Sequence, residues 1–286
     1  MSNIIRKDEM LRYLGYSGQQ MTAELEERIE CGMETCERTI HPKCYHQVFD
    51  LVAVKSVDAK AKAAADASAG AHADAGPNAD ASTGAHADAG PNADASSGGP
   101  TELRIVGTPL IFAGHDITTH LDGAVKCALM VCTLGMESER QLQRLSKTNP
   151  LDALIFGAAC TDLVEQAANA EEAAIVAEAT SLDLYTSSRF SPGYGDFSLA
   201  IQPAFLDVLR AHERLGITLT KDFLMIPTKS TTAVVGMYET VPTARRAGCG
   251  QCECAGSCMF RRAGTRCYEV VANGGERRTR IESENR

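Results

Sequence analysis

The feature that most limits how this chain can fold is the stretch from Ala63 to Gly99, which contains no Leu, Ile, Val, Met or aromatic residue. Within it, residues 70–83 recur as residues 84–97 with a single difference. Such a segment buries too little apolar surface to offset the entropy that is lost on ordering it. We therefore predict a disordered Ala/Asp/Gly tandem-repeat insert at residues 57–100, which interrupts a loop and has folded parts on both sides.

The segment before the insert, residues 1–56, reads as helical. Apolar residues recur at helical spacing through residues 8–50, and a Gly-containing break at residues 15–18 divides them into two helices. The segment also holds the cysteines and histidines Cys31, Cys36, Cys44, His41 and His46. Their spacing matches no standard zinc pattern, so we interpret the cysteines as buried or idle thiols.

Residues 101–245 carry the remaining apolar patterns. A helix is expected to begin near His115 with Asp116 as its cap. Further helices are predicted at residues 137–146, 150–180 and 204–214, and strands at residues 124–133 and 229–238. Because the few strands do not alternate regularly with the helices, the pattern favours an α+β fold.

One turn in this region has the residue types of a ligand site. It runs Arg189-Phe-Ser-Pro-Gly-Tyr-Gly-Asp196. Pro192 restricts the backbone, and Gly193 and Gly195 allow positive φ and close backbone approach. Arg189 offers a planar fork of donors for a carboxylate, and Tyr194 offers a flat face with a polar tip. The alternative is an ordinary Pro-Gly turn with Arg189 as a solvated charge.

This turn resembles the R-x-x-P-G-Y element of the activation domain of cobalamin-dependent methionine synthase, a family that binds S-adenosylmethionine (AdoMet). Three other segments fit its stand-alone members in the expected order, and together the matches span roughly residues 101–262. They are Thr133-Leu134-Gly135, Met225-Ile-Pro-Thr-Lys-Ser230, and a C-terminal Cys cluster that ends in Phe260-Arg261-Arg262.

The resemblance implies a set of AdoMet contacts. Arg189, Gly193 and Tyr194 would hold the ligand together with Gly195, while Ser191 and Pro192 would shape the turn. An acidic residue on a preceding helix would meet the ammonium group, with Asp162 and Glu165 as candidates. A second aromatic of the family falls on Val235, with Tyr238 three residues on as a substitute. For Lys229-Ser230, a role in docking or ligand binding and the plain start of a buried strand remain equal alternatives.

The resemblance also implies a fold and a role. The fold would be a twisted antiparallel β-sheet flanked by helices. The chain would be a component of a cobalamin-dependent methionine synthase, a methyltransferase, rather than a complete enzyme. It would bind AdoMet and present the methyl group to the cobalamin of a partner that lacks its own activation domain. With one electron from a donor such as a flavodoxin or ferredoxin, this methyl group would restore methylcobalamin.

The C-terminal segment, residues 246–286, combines a Cys cluster with an Arg-rich tail. Cys249, Cys252, Cys254 and Cys258 have the close spacing of zinc or iron–sulfur ligands. Redox-active or idle thiols are the alternative. If the Cys cluster rather than the turn determines the function, the chain would instead be a metal or iron–sulfur protein for electron transfer or structure. The arginines indicate a solvated tail or contact with an acidic partner.

Several classes of protein are not expected. We find no apolar run long enough for a membrane span and no apolar stretch of a secretory signal at the start, so we expect a cytoplasmic protein without membrane contact. No nucleic-acid module accompanies the arginines, so no nucleic-acid partner is expected. The sequence has no convincing Ser-His-Asp or paired-carboxylate signature, which agrees with a chain that needs no general base.

Overall fold

The computed structural model describes residues 4–16, 18–54 and 102–242. The α-helices in these ranges are α1 (Lys7–Tyr13), α2 (Ala23–Thr39), α3 (His115–His120), α4 (Gly135–Thr148), α5 (Pro150–Ser181), α6 (Gln202–Val208) and α7 (Ala211–Leu215). The strands are β1 (Lys43–Val54), β2 (Glu102–Ile105), β3 (Ile111–Ala113), β4 (Lys126–Thr133), β5 (Tyr185–Thr186), β6 (Thr218–Leu219), β7 (Met225–Ile226) and β8 (Ser230–Tyr238).

Six strands form one sheet in the order β3-β2-β1-β4-β8-β5, and every neighbouring pair is antiparallel. A separate hairpin pairs β6 with β7. Helices cover both faces of the six-stranded sheet. The predicted α+β class, with an antiparallel sheet flanked by helices, is therefore confirmed.

The two central strands β4 and β8 are buried on both faces, because alternate side chains enter two different cores. On one face, Leu129, Val131 and Val234 pack with α3, α6 and the aromatic residues Phe190 and Phe197. On the other face, a second core rests on the long helix α5. A third cluster joins α1 and α2 to the first half of α5. Helix α5 thus contacts most of the fold.

The predictions for the central elements are confirmed at β4, α4, α5 and β8, whose apolar patterns are long and regular. The prediction of helix through residue 50 is wrong, because Lys43–Val54 is strand β1. It pairs with β4 from Lys43 to Asp50 and with β2 from Leu51 to Val54. These ladder hydrogen bonds outweigh a local helical pattern.

Two helix ends also differ from the expectation. Asp116 lies inside α3, and the N-cap residue Gly114 makes no side-chain cap. The carboxylate of Asp196 accepts the backbone N–H groups of His115 and Asp116 instead. The predicted helix at residues 204–214 is divided at Arg210, which has the left-handed φ of 52°.

The insert lies between the paired ends of a hairpin. Val54 and Glu102 are register partners in β1 and β2, so the chain leaves and re-enters the sheet at the same place. The insert at residues 57–100, the C-terminal segment after residue 242, and the expectations placed on them lie outside the described residues.

Candidate functional site

Arg189 points toward helix α5 because the strand at the sheet edge contains a β-bulge. Thr186 pairs with Met237, whereas Phe190 pairs with Val234, so three residues face two on β8. This is the arrangement of a β-bulge, which re-aims the side chains near it. Phe190 packs into the core below the sheet, against the rings of His120 and Phe197. Arg189 is directed to the opposite side, where α5 lies.

The guanidinium of Arg189 is held by three side chains of α5. Its Nε lies 3.0 Å from Glu172 Oε2, its Nη2 donates to Asn169 Oδ1 at 2.7 Å, and the same nitrogen lies 3.6 Å from Glu165 Oε2. Glu165, Asn169 and Glu172 are spaced four and three residues apart, so they share one helix face. The site therefore presents one cation between two carboxylates.

The two carboxylates differ in their surroundings. The side chain of Glu172 is 7% exposed, and that of Glu165 is 45% exposed. Burial raises the pKa of Glu172, and the neighbouring Arg189 opposes this only in part. Glu172 is thus the inner anchor of Arg189, and Glu165 is the acid that a ligand in solution can reach.

The turn that follows Arg189 is closed by its own backbone. Gly193 N–H donates to Phe197 O at 2.7 Å, and Tyr194 N–H donates to Ser191 O at 3.2 Å. Gly193 and Gly195 have φ of 97° and 54°, as their type allows. Pro192 is buried, while Tyr194 is 68% exposed. An aromatic ring with this exposure at the tip of a hydrogen-bonded turn is available to a ligand.

The turn is also fixed to helix α3 by a reciprocal contact. Asp196 caps α3, and Asp196 N–H in return donates to Asp116 Oδ2 at 3.1 Å. A Cβ on Gly195 would run into the Asp116 carboxylate. Glycine is therefore required here for close packing as well as for its backbone angle.

The two other described segments of the resemblance meet each other beside α5. Leu134 N–H donates to Lys229 O at 2.9 Å, and Ser230 Oγ donates to Thr133 Oγ1 at 2.7 Å. Lys229 Nζ donates to Thr161 Oγ1 on α5 at 2.7 Å. Helix α5 thereby connects this junction to Arg189.

The candidate acids and aromatics separate into those beside Arg189 and those elsewhere. Asp162 is 1% exposed and accepts Arg6 N–H at 2.8 Å, so it belongs to the N-terminal packing, and burial raises its pKa. Tyr238 is 3% exposed, and its hydroxyl donates to His120 O at 2.5 Å; burial raises the pKa of Tyr238 to about 12. Val235 is fully buried. Of these four candidates, Glu165 alone reaches Arg189.

The sequence did not single out Asn169 and Glu172. Their spacing from Glu165, which places all three on one helix face, was the one signal that could have indicated them. It was not distinctive, because Gln166 and Glu171 stand beside them on the same helix. Only the packing of α5 on the sheet edge distinguishes the residues that face Arg189.

The N-terminal cysteines differ in their surroundings. Cys44 and Cys132 are register partners joined by a disulfide, which corrects the interpretation of Cys44 as an idle thiol. Cys36 is a buried free thiol as expected, whereas Cys31 is exposed. Within residues 4–16, 18–54 and 102–242, no group of three His, Cys, Asp or Glu side chains is arranged to hold a metal ion. Cys249, Cys252, Cys254 and Cys258 lie outside these ranges.

No protein-family model and no curated protein matches the chain. Among solved structures it is similar to the MetH reactivation domain bound to AdoHcy, with a TM-score of 0.51 and 12% sequence identity. The similarity covers 93% of this chain and 83% of that chain. At this identity the likeness shows a shared fold. Among the described helices, none is long and apolar enough to cross a membrane.

Proposed function

We propose that this chain binds AdoMet at the turn of residues 189–195 and serves in the reactivation of cobalamin on a partner methionine synthase. One observation carries the proposal. Arg189, set between Glu165 and Glu172, adjoins a hydrogen-bonded turn with an exposed Tyr194, in a fold shared with a domain whose structure contains AdoHcy.

The charges of the site suit the charges of the ligand. AdoMet carries a carboxylate, an ammonium group and a cationic sulfonium, so its net charge is positive. Arg189 with its two glutamates is net negative when both are ionised. The exposed Glu165 accepts hydrogen bonds from the ammonium group of the ligand, and the N–H groups of Arg189 face the carboxylate of the ligand.

The turn supplies the contacts for the rest of the ligand. The ring of Tyr194 stacks on adenine or lies against the sulfonium, which the face of an aromatic ring attracts. Gly193 and Gly195 let the backbone approach closely, while Ser191 and the buried Pro192 hold the shape of the turn.

AdoMet would supply the methyl group, cob(I)alamin formed on the partner by one-electron reduction of cob(II)alamin would take it, and AdoHcy would leave. This chain therefore needs no general base. Its residues contribute orientation of the ligand and exclusion of water. The partner is a cobalamin-dependent methionine synthase without its own activation domain, and a flavodoxin or ferredoxin supplies the electron. The chain is thus one component of a methyltransferase.

Calorimetric titration with AdoMet tests the ligand. We expect binding by the wild-type chain and at least a tenfold loss of affinity in Arg189→Gln, since a charge-assisted contact is removed. Arg140→Gln is the matched control, because its side chain is 70% exposed on α4. Thermal melts of both variants separate loss of binding from loss of folding. Absence of AdoMet binding by folded wild-type chain would refute the proposal.

A reconstituted reactivation assay tests the role. Oxidised cobalamin on a methionine synthase lacking an activation domain is mixed with AdoMet, a reductant and this chain, and methylcobalamin is followed by its visible spectrum. We expect methylcobalamin to form only when the chain is present. Equal rates with and without the chain would leave AdoMet binding standing but reject the accessory role.

A further inference from the structure

Lys229 is a second cation on the same face of α5, and it differs from Arg189 in having no acidic partner among the described residues. Its ammonium donates to the hydroxyl of Thr161 at 2.7 Å, and that hydroxyl donates in turn to Gly157 O at 2.9 Å. In the part of the chain that the structure describes, no carboxylate lies within ion-pair distance of Lys229. Glu139 on α4 accepts hydrogen bonds from the backbone N–H and the hydroxyl of Thr228, the residue before Lys229.

The position of Lys229 is set by its backbone. Lys229 O accepts Leu134 N–H, and Ser230 Oγ is tied to Thr133 and to Pro227 O. The residue therefore begins β8 at a defined place, and its side chain extends to α5. A half-buried lysine held this way retains donors for another group, since an ammonium has three N–H bonds.

Thr161 places this ammonium close to the cluster of Arg189 with Glu165, Asn169 and Glu172. Thr161 and Glu165 are four residues apart on α5, which is about one helical turn or 6 Å along the axis. Lys229 at Thr161 and Arg189 at Glu165 thus stand side by side along one stripe of the helix.

The two cations are not equally available to a negative group. An approaching carboxylate is attracted by Arg189 but repelled by Glu165 and Glu172, which already contact it. Among the described residues, the hydrogen-bond partner of the Lys229 ammonium is a neutral hydroxyl. From this difference in neighbouring charge we infer that Lys229 is a further direct contact of the carboxylate in the amino-acid part of the ligand, in addition to Arg189.

This inference rests on the proposed function and assigns a residue to one group of the ligand. It also decides between the two alternatives for Lys229. A residue that merely begins a strand would not distinguish ligands that differ only in their carboxylate.

The test compares AdoMet with decarboxylated AdoMet, which lacks only that group, by calorimetry on the full chain. In Lys229→Met, which keeps an apolar stem without the charge, we expect AdoMet to bind roughly tenfold more weakly. The affinity for decarboxylated AdoMet should stay at its wild-type value. Lys229→Arg retains the charge and should recover most of the affinity. The exposed Lys221 lies in the loop between β6 and β7, and Lys221→Met is the matched control.

Each outcome bears on a different statement. Unchanged AdoMet affinity in folded Lys229→Met, or an equal loss for both ligands, overturns the inference and leaves the proposed function intact. Absence of AdoMet binding by the wild-type chain overturns both. Should Lys229→Met fail to fold in a thermal melt, Lys229→Gln provides the same comparison.

Discussion

At the scale of single residues, the turn depends on glycines for two separable reasons. Gly195 has a positive φ, and its missing Cβ also leaves room for the Asp116 carboxylate. Gly107 has a positive φ of 77° as well, but no atom lies within 4 Å of the place where its Cβ would be. The pair therefore separates backbone strain from steric conflict.

We expect Gly107→Ala to lower the free energy of unfolding by about 1 kcal/mol, the cost of a left-handed backbone with a side chain. Gly195→Ala should cost at least about 2 kcal/mol, because the turn must also move away from α3. Urea unfolding of both variants measures the difference. Equal losses in the two variants would mean that the Asp116 contact has no energetic weight.

At the scale of elements, His46 connects β1 to α5. Its Nδ1 lies 2.6 Å from Glu171 Oε1, and its Nε2 lies 3.0 Å from Glu178 Oε2. Burial disfavours the charged ring, but the two carboxylates outweigh burial and raise the pKa of His46. When it is protonated, the ring thus holds strand β1 against helix α5 through Glu171 and Glu178.

This pairing predicts a pH-dependent contribution to stability. A histidine whose pKa is raised by folding stabilises the folded state fully below its unfolded pKa of about 6.5, and the contribution disappears as pH rises through the folded value. We expect His46→Gln to lower the free energy of unfolding by about 1 kcal/mol at pH 5.5 and by much less at pH 9. Urea titrations at the two pH values measure this. The exposed His212 gives the control His212→Gln, and a loss that is equal at both pH values would contradict the prediction.

At the scale of the whole molecule, the insert and the sheet are separable, because Val54 and Glu102 are already paired where the insert departs. Deleting residues 63–99 leaves a connection roughly a fifth as long, and the smaller entropy of closing it should raise stability by about 1 kcal/mol. We expect the AdoMet affinity of the shortened chain to equal that of the full chain. Calorimetry and a thermal melt measure both quantities. Loss of binding after deletion would assign the repeat a direct role in the site.

The same scale includes the Cys cluster, whose role stays a prediction. Metal analysis and a visible spectrum of anaerobically purified chain distinguish an iron–sulfur cluster from zinc and from free thiols. Iron with sulfide would favour an electron-transfer role for the tail, and zinc would favour a structural one.

The sequence alone determined the parts of this protein whose signal is local. The apolar pattern of β4, α4, α5 and β8 spans many residues in each case, so each segment could be predicted correctly as a helix or a strand. The turn at residues 189–196 could also be predicted, because Pro and Gly have backbone properties that hold in any context, while its role as a ligand site stays a prediction.

The tertiary structure decided what depends on distant partners. Strand β1 is a strand because β4 and β2 pair with it, and Asp196 caps a helix that lies far away in the chain. The acids beside Arg189 could not be identified from α5 alone, since many of its polar residues repeat at helical spacing. The bulge opposite β8 and the packing of α5 select Glu165 and Glu172, because ionic contacts depend on distances in space that no local pattern contains.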